Sequence, residues 1–181
     1  FRRDDPHAAI CELEAARELD AAIADDPSYV ETLGRAYGAV GETEVAIALF
    51  RRRLARVPGG SDPVDRVRFS VLLANALIDV SAFAEAAEVL ADVLVDTMDG
   101  DPVLLARLYW SQSRLHAEKK ETASAGRYAR RALELLEATE FTQYRSRAHH
   151  LLAYIEIDAG NHVEALGLIY SRINNPNLEI L

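Results

Sequence analysis

Apolar residues recur along most of this chain at i, i+3, i+4 and i+7 with polar residues between them, the pattern of helices that bury one face. No stretch alternates with period two over a useful length, so no sheet is expected. The pattern predicts helices at about 8–25, 28–40, 43–56, 64–80, 83–96, 102–118, 122–138, 142–159 and 162–173. Asp26-Pro27, Asp62-Pro63 and Asp101-Pro102 each place a proline at or near a predicted helix start, where its missing N–H costs nothing.

A longer period lies over the helical one. Ala46, Ala86, Ala125 and Ala165 stand in similar frames at spacings of 40, 39 and 40 residues. Four residues after each come Phe50, Leu90, Ala129 and Ile169. Twelve or thirteen residues before each lie Leu33-Gly34, Leu73-Ala74, Gln112-Ser113 and Leu152-Ala153. A small residue at two fixed places lets two antiparallel helices approach closely, and larger apolar residues fill the seam. One such hairpin cannot bury its own apolar face, so hairpins stack.

The segment from Pro27 to Gly60 carries Leu33, Gly34, Tyr37, Gly41, Ala46, Phe50 and Pro58 at the spacing of a tetratricopeptide repeat. On these residues the chain resembles tetratricopeptide repeat proteins, and the resemblance covers nearly its whole length. It implies an all-α fold, a right-handed α-solenoid of about nine helices in one domain over 1–181. The repeats fall at about 27–60, 64–98, 102–138 and 142–177. The later three depart from the family pattern at Ser113, His116 and Glu156, and their period of about 40 exceeds the usual 34. The added residues fall in connections rich in turn formers, such as Val57 to Pro63 and Thr97 to Pro102. Helix 8–25 matches the second helix of a repeat through Ala15, Leu19, Ala22 and Pro27, and its partner is missing. The orphan helix reads either as a simple capping helix or as the trace of a longer protein, and with a first residue Phe1 we expect the second.

The family resemblance also implies a binding face along the first helix of each hairpin. Carried over to this chain, its second positions are Ser28, Arg68, Arg107 and Arg147, and its fifth are Glu31, Val71, Trp110 and His150. Arg35, Asn75, Arg114 and Tyr154 follow at the ninth position, and Ala39, Asp79, Glu118 and Asp158 at the thirteenth. An arginine ladder thus opens three successive first helices and an acid ladder closes them, both against the helix dipole. The members of one helix stand eleven residues apart, about 16 Å, too far to pair. The expected binding residues are Arg35, Arg68, Asn75, Arg107, Trp110, Arg114, Arg147, His150 and Tyr154. Arginines grip carboxylates, Asn75 can bond a peptide backbone, and the aromatics give rigid contact area. The competing reading pairs the arginines with acids on neighbouring helices and makes Trp110 partly core. The lysine-asparagine carboxylate clamp of some family members does not carry over, because Val71 stands where its lysine would be.

Charge narrows the partners. The chain has 20 Lys and Arg against 29 Asp and Glu, a formal charge of −9, which opposes binding to nucleic acid or to an anionic membrane. The single cysteine, Cys11, excludes an intrachain disulfide and suits a cytoplasmic setting. The longest apolar stretch, Phe69 to Val80, is interrupted by Ser70, Asn75 and Asp79 and is too short for a bilayer. No cofactor is expected and no catalysis: Pro58-Gly59-Gly60-Ser61 lacks the features of a phosphate loop, and Cys11 has Glu12 and Glu14 nearby, whose negative charges disfavour a thiolate nucleophile. His149 and His150 are adjacent, so they point about 100° apart on a helix and do not converge on one metal. His116 reads as a packed seam histidine, and Glu118 to Glu121 as a solvated turn.

The expected partner is a protein or peptide with acidic side chains or a terminal carboxylate, with a homodimer also in view. Segments 106–112, 128–136 and 148–153 resemble, more loosely, the C-terminal repeats of bacterial Xre-type helix-turn-helix transcription regulators. That resemblance implies the sensor or interaction domain of such a regulator. The alternatives are a stand-alone scaffold or co-chaperone adaptor, and the recruiting module of a separate catalytic domain.

Overall fold

A computed structural model describes residues 5–56, 63–94, 101–137 and 142–173, with side chains over 5–56, 63–93, 101–136 and 149–169. These residues form nine α-helices, a short 3-10 segment and no strand. The chain divides into two compact units, 1–96 and 97–181. The first unit holds α1 (Pro6–Leu19), the 3-10 segment Ala21–Asp25, α2 (Pro27–Ala39), α3 (Thr43–Arg56), α4 (Pro63–Asp79) and α5 (Phe83–Leu94). The second holds α6 (Pro102–Glu118), α7 (Thr122–Glu137), α8 (Thr142–Asp158) and α9 (His162–Ile173).

Local chemistry sets the helix starts. Pro6, Pro27 and Pro102 each sit at the first turn behind an aspartate whose side chain accepts backbone N–H bonds. The expected helix 8–25 is not one helix. It begins two residues earlier, because Asp5-Pro6 supplies a cap that the apolar pattern did not reveal. It then stops at Asp20, whose backbone is extended and whose carboxylate accepts from the Ala22 N–H. An aspartate side chain that offers the backbone its own hydrogen bond competes with the helix, and the rest of the segment winds on as a 3-10 turn.

In the first unit α2 packs on α3, α3 on α4 and α4 on α5, with α1 against α2 and α2 beside α4. In the second, α6 packs on α7, α7 on α8 and α8 on α9, with α6 beside α8. Within each unit, α4 and α8 are therefore clasped by their own second helix and by that of the hairpin before. α4 shows the result, burying residues on nearly all sides from Asp65 to Ile78.

The small-residue register is realised in all four hairpins. Gly34, Ala74, Ser113 and Ala153 are buried, as are Ala46, Ala86, Ala125 and Ala165 twelve residues later. A Cβ placed on Gly34 would sit 2.4 Å from the Phe50 ring, far inside contact distance, and Phe50 is itself buried. Ser113 meets the same crossing with a hydroxyl that donates to the Ala125 carbonyl at 2.8 Å.

The turns inside the hairpins share one geometry. Gly41, Ser81, Lys120 and Gly160 have left-handed φ values of 89°, 62°, 61° and 81°. The next residue in each case donates its N–H five residues back: Glu42 to Tyr37, Ala82 to Leu77, Glu121 to His116 and Asn161 to Glu156, at 2.8–2.9 Å. This is the Schellman closure, which satisfies carbonyls left over at the helix end.

Gly34→Ala is expected to lower unfolding stability by about 1–3 kcal/mol in urea titration, because overpacking outweighs alanine's better helix propensity. An unchanged or raised midpoint would show that the α2–α3 crossing yields freely.

Candidate functional site

In the first unit, the expected binding surface lies on the adjacent helices α2 and α4. Glu31 of α2 is its hub: it holds Arg35 one turn on at 2.8 Å and meets Arg68 of α4 at 3.9 Å. Arg68 also reaches Asp65 on its own helix at 3.4 Å. Asp65 is buried and bound at 2.5 Å by Arg53, which arrives from α3. Arg53 further donates to the Asp25 carbonyl at 3.0 Å, and its guanidinium lies 5.6 Å from the centre of the Phe69 ring. Arg35 and Arg68 are thus members of an ion-pair network that joins α2, α3 and α4. Asn75 is half-buried, and its amide donates to the Val71 carbonyl of its own helix at 2.8 Å.

In the second unit the surface lies on α6 and α8. Arg107, Trp110 and Arg114 follow one another at i, i+3 and i+7 along α6, all half-buried. The Arg114 guanidinium stands 5.4 Å from the centre of the Trp110 ring, a cation–π placement. The Trp110 indole N–H is buried and has no acceptor among the described residues. Buried indole N–H groups ordinarily have one. On α8, His150 and Tyr154 are exposed, Tyr154 to 55 %. Arg147 lies on α8 with its side chain outside the described residues. The acid positions Asp79, Glu118 and Asp158 are exposed at the ends of their helices.

The three departures from the repeat pattern each have a local partner. Ser113 bonds across the α6–α7 crossing. His116 is half-buried, stacks on Tyr128 with centroids 5.2 Å apart, and shares a 2.5 Å hydrogen bond with Glu121. Hydrogen bonds from Lys119 first and His116 second hold the Glu121 carboxyl below the usual range. Tyr128 in turn stacks on Tyr109 at 6.1 Å. Glu156 is buried, paired with Arg130 of α7 and accepting from Asn161 at 2.7 Å. These polar contacts had one signal in the sequence, the residues that broke the family pattern; their partners had none.

Among the described residues no group of three His, Cys, Asp or Glu side chains is placed to hold a metal ion, and no helix is long and apolar enough to cross a membrane. Cys11 is exposed on α1.

The chain is similar to solved structures over nearly its whole length. It superposes on the apo form of RapI with a TM-score of 0.69 and 20 % identity, covering 94 % of this chain and 49 % of RapI. A Podospora anserina chain described as a kinesin light chain with nearly identical TPR-like repeats aligns at TM-score 0.63 and 20 % identity, over 93 % of this chain and 88 % of the other. The fold is that of tetratricopeptide repeats. MamA from Desulfovibrio magneticus RS-1 also aligns, at TM-score 0.60 and 19 % identity, over 94 % of this chain and 85 % of its own. This chain spans about half the length of RapI. No family sequence model matches the chain, and no curated protein matches it.

Asp65→Asn is expected to cost about 3 kcal/mol of unfolding free energy, since it leaves the Arg53 charge facing a neutral amide in a largely buried place. Urea denaturation reads the cost; a change under about 0.5 kcal/mol would mean that Arg53 finds water instead.

Proposed function

We propose that this chain is a protein-binding repeat module that takes an extended, acid-bearing peptide along its first helices, and that it is the sensor or interaction domain of a bacterial helix-turn-helix transcription regulator. The observation that carries the reading is the α6 stripe, where the Arg114 guanidinium lies over Trp110 and the Trp110 N–H meets no acceptor among the described residues. A rigid aromatic with an unused donor, flanked by Arg107 and Arg114 and next to the helix that carries His150 and Tyr154, suits a peptide with carboxylates and free carbonyls. Arg35 and Arg68 both meet Glu31, and the reading is carried by Trp110 of the second unit. The regulator setting rests on the looser resemblance of segments 106–112, 128–136 and 148–153. Fold likeness to MamA and RapI agrees with a binding module and carries nothing about the partner.

Peptides selected from a random library with free C-termini are expected to bind the chain with acidic residues enriched. Arg107→Glu combined with Arg147→Glu is expected to weaken the selected peptide at least tenfold, about 1.4 kcal/mol, with the helical circular dichroism unchanged. Unchanged affinity in a folded variant would remove the first helices of the second unit from the interface. The coding sequence upstream of Phe1 tests the setting: a helix-turn-helix segment there supports a regulator, and a start codon directly before Phe1 overturns it.

A further inference from the structure

Two arginines on neighbouring first helices of the first unit meet at one carboxylate. Glu31 on α2 divides its oxygens between them. Its Oε1 accepts from Arg35 Nε at 3.0 Å and faces Arg35 Nη2 at 2.8 Å, while its Oε2 faces Nε of Arg68 on α4 at 3.9 Å. Arg35 has no other acid among the described residues, and Arg68 has Asp65 as well. Guanidinium groups that converge on one carboxylate are the means by which arginines take an acid from a ligand. Here the chain supplies the acid itself.

The arrangement stands open to solvent. The Arg35 and Arg68 side chains are 48 % and 33 % exposed. At 3.9 Å the contact with Arg68 is long for an ion pair, and pairs as exposed as these hold weakly. An incoming carboxylate can therefore reach both arginines. It must also come to rest beside the Glu31 charge, at a separation where like charges repel.

The two units differ at this place. The equivalent residue is Val71 on α4, Trp110 on α6 and His150 on α8, none of them an acid. Trp110 carries an indole N–H that meets no acceptor among the described residues. The first unit thus fills its anion-accepting groups with an internal carboxylate, and the second leaves a donor unfilled. Composition runs the same way. Residues 1–96 hold 10 Lys and Arg against 18 Asp and Glu, whereas residues 97–181 hold 10 against 11. An acid-bearing peptide is repelled by the first unit at long range as well as at Glu31.

On the reading that acid-bearing peptides are the partner, we infer that Glu31 is a built-in occupant of a carboxylate site formed by Arg35 and Arg68, and that it keeps such peptides off the first unit. Glu31 is then a specificity residue that acts by repulsion, not by a contact to the ligand. Its loss creates a site. Arg35 is left without an acid, and Arg68 keeps only Asp65, which is buried and already bound by Arg53. A peptide carboxylate fits the place that the Glu31 carboxylate vacates.

Fluorescence anisotropy of a labelled peptide of alternating glutamate and alanine, about ten residues long, reads the site. In a chain that carries Arg107→Glu and Arg147→Glu, adding Glu31→Gln is expected to tighten this probe at least about tenfold, and salt is expected to reverse the gain. Glu88→Gln removes the same charge from an exposed place on α5 and is expected to tighten the probe less than about twofold. Adding Arg35→Gln and Arg68→Gln to Glu31→Gln is expected to cancel the gain. A gain that persists without the two arginines overturns the assignment, as does a Glu31→Gln chain that binds no better than its parent or than Glu88→Gln. If Glu31→Gln loses its helical circular dichroism, Glu31→Val, the residue at this place on α4, takes its role with the same outcomes. The Arg107→Glu, Arg147→Glu pair by itself reads the peptide site of the second unit: probe affinity unchanged by that pair removes the second unit as the site, while the gain at Glu31 is still decided by Arg35 and Arg68.

Discussion

Two helices cross only as closely as the side chains at the crossing allow, and this molecule depends on a close crossing repeated four times. At the first, Phe50 lies where a Cβ on residue 34 would be, so Gly34 is the residue that admits it. Ala74 and Ala153 solve the same problem with a methyl group, each facing another alanine twelve residues on. Ser113 goes further and turns the crossing into a hydrogen bond with the α7 backbone. A hydroxyl buried without such a partner would be costly; placed against a carbonyl it is satisfied.

Close crossing leaves each hairpin with an apolar outer face, which only the next hairpin can cover. Coverage also brings charge inside. Asp65 and Glu156 are both buried on first helices, and both are met by an arginine from the preceding second helix, Arg53 and Arg130. The two pairs use different positions of the repeat, so they are not a repeated device but two answers to one need: a buried carboxylate requires a donor. Arginine has the length and the fork to supply it from a neighbouring helix. The same demand draws Arg68 towards Asp65 and Glu31.

Much of this was legible in the sequence. The helix pattern and the alanine period placed eight of the nine helices within a residue or two over the described range, because apolar periodicity and turn chemistry act locally. The first helix was misjudged at both ends. Asp5 and Asp20 act through side-chain bonds to backbone N–H groups, which leave no trace in an apolar count. The site was less legible. The first helices that carry the positions expected from the family are neighbours, α2 with α4 and α6 with α8. Which arginines are engaged was not readable, because Glu31 reaches Arg68 across helices whose relative placement only the packed structure fixes. The ninth-position Asn75 was read as a peptide ligand, and its amide is bound to Val71 of its own helix.

The left-handed turns have a consequence for how such a chain can vary. In every hairpin the left-handed residue stands seven positions after the small residue of the first helix and five before the alanine of the second. The whole difference between spacings of 39 and 40 therefore falls in the connections between hairpins. Ser81 and Lys120 hold the closure as Gly41 and Gly160 do, so the turn is specified by backbone geometry and not by a glycine signature. Residues can be added or lost between hairpins, and side chains exchanged within the turns, without shifting how any first helix meets its second. A fold organised in this way keeps its architecture under wide change of sequence, because the constraint sits in the crossing and the turn and leaves the connections free.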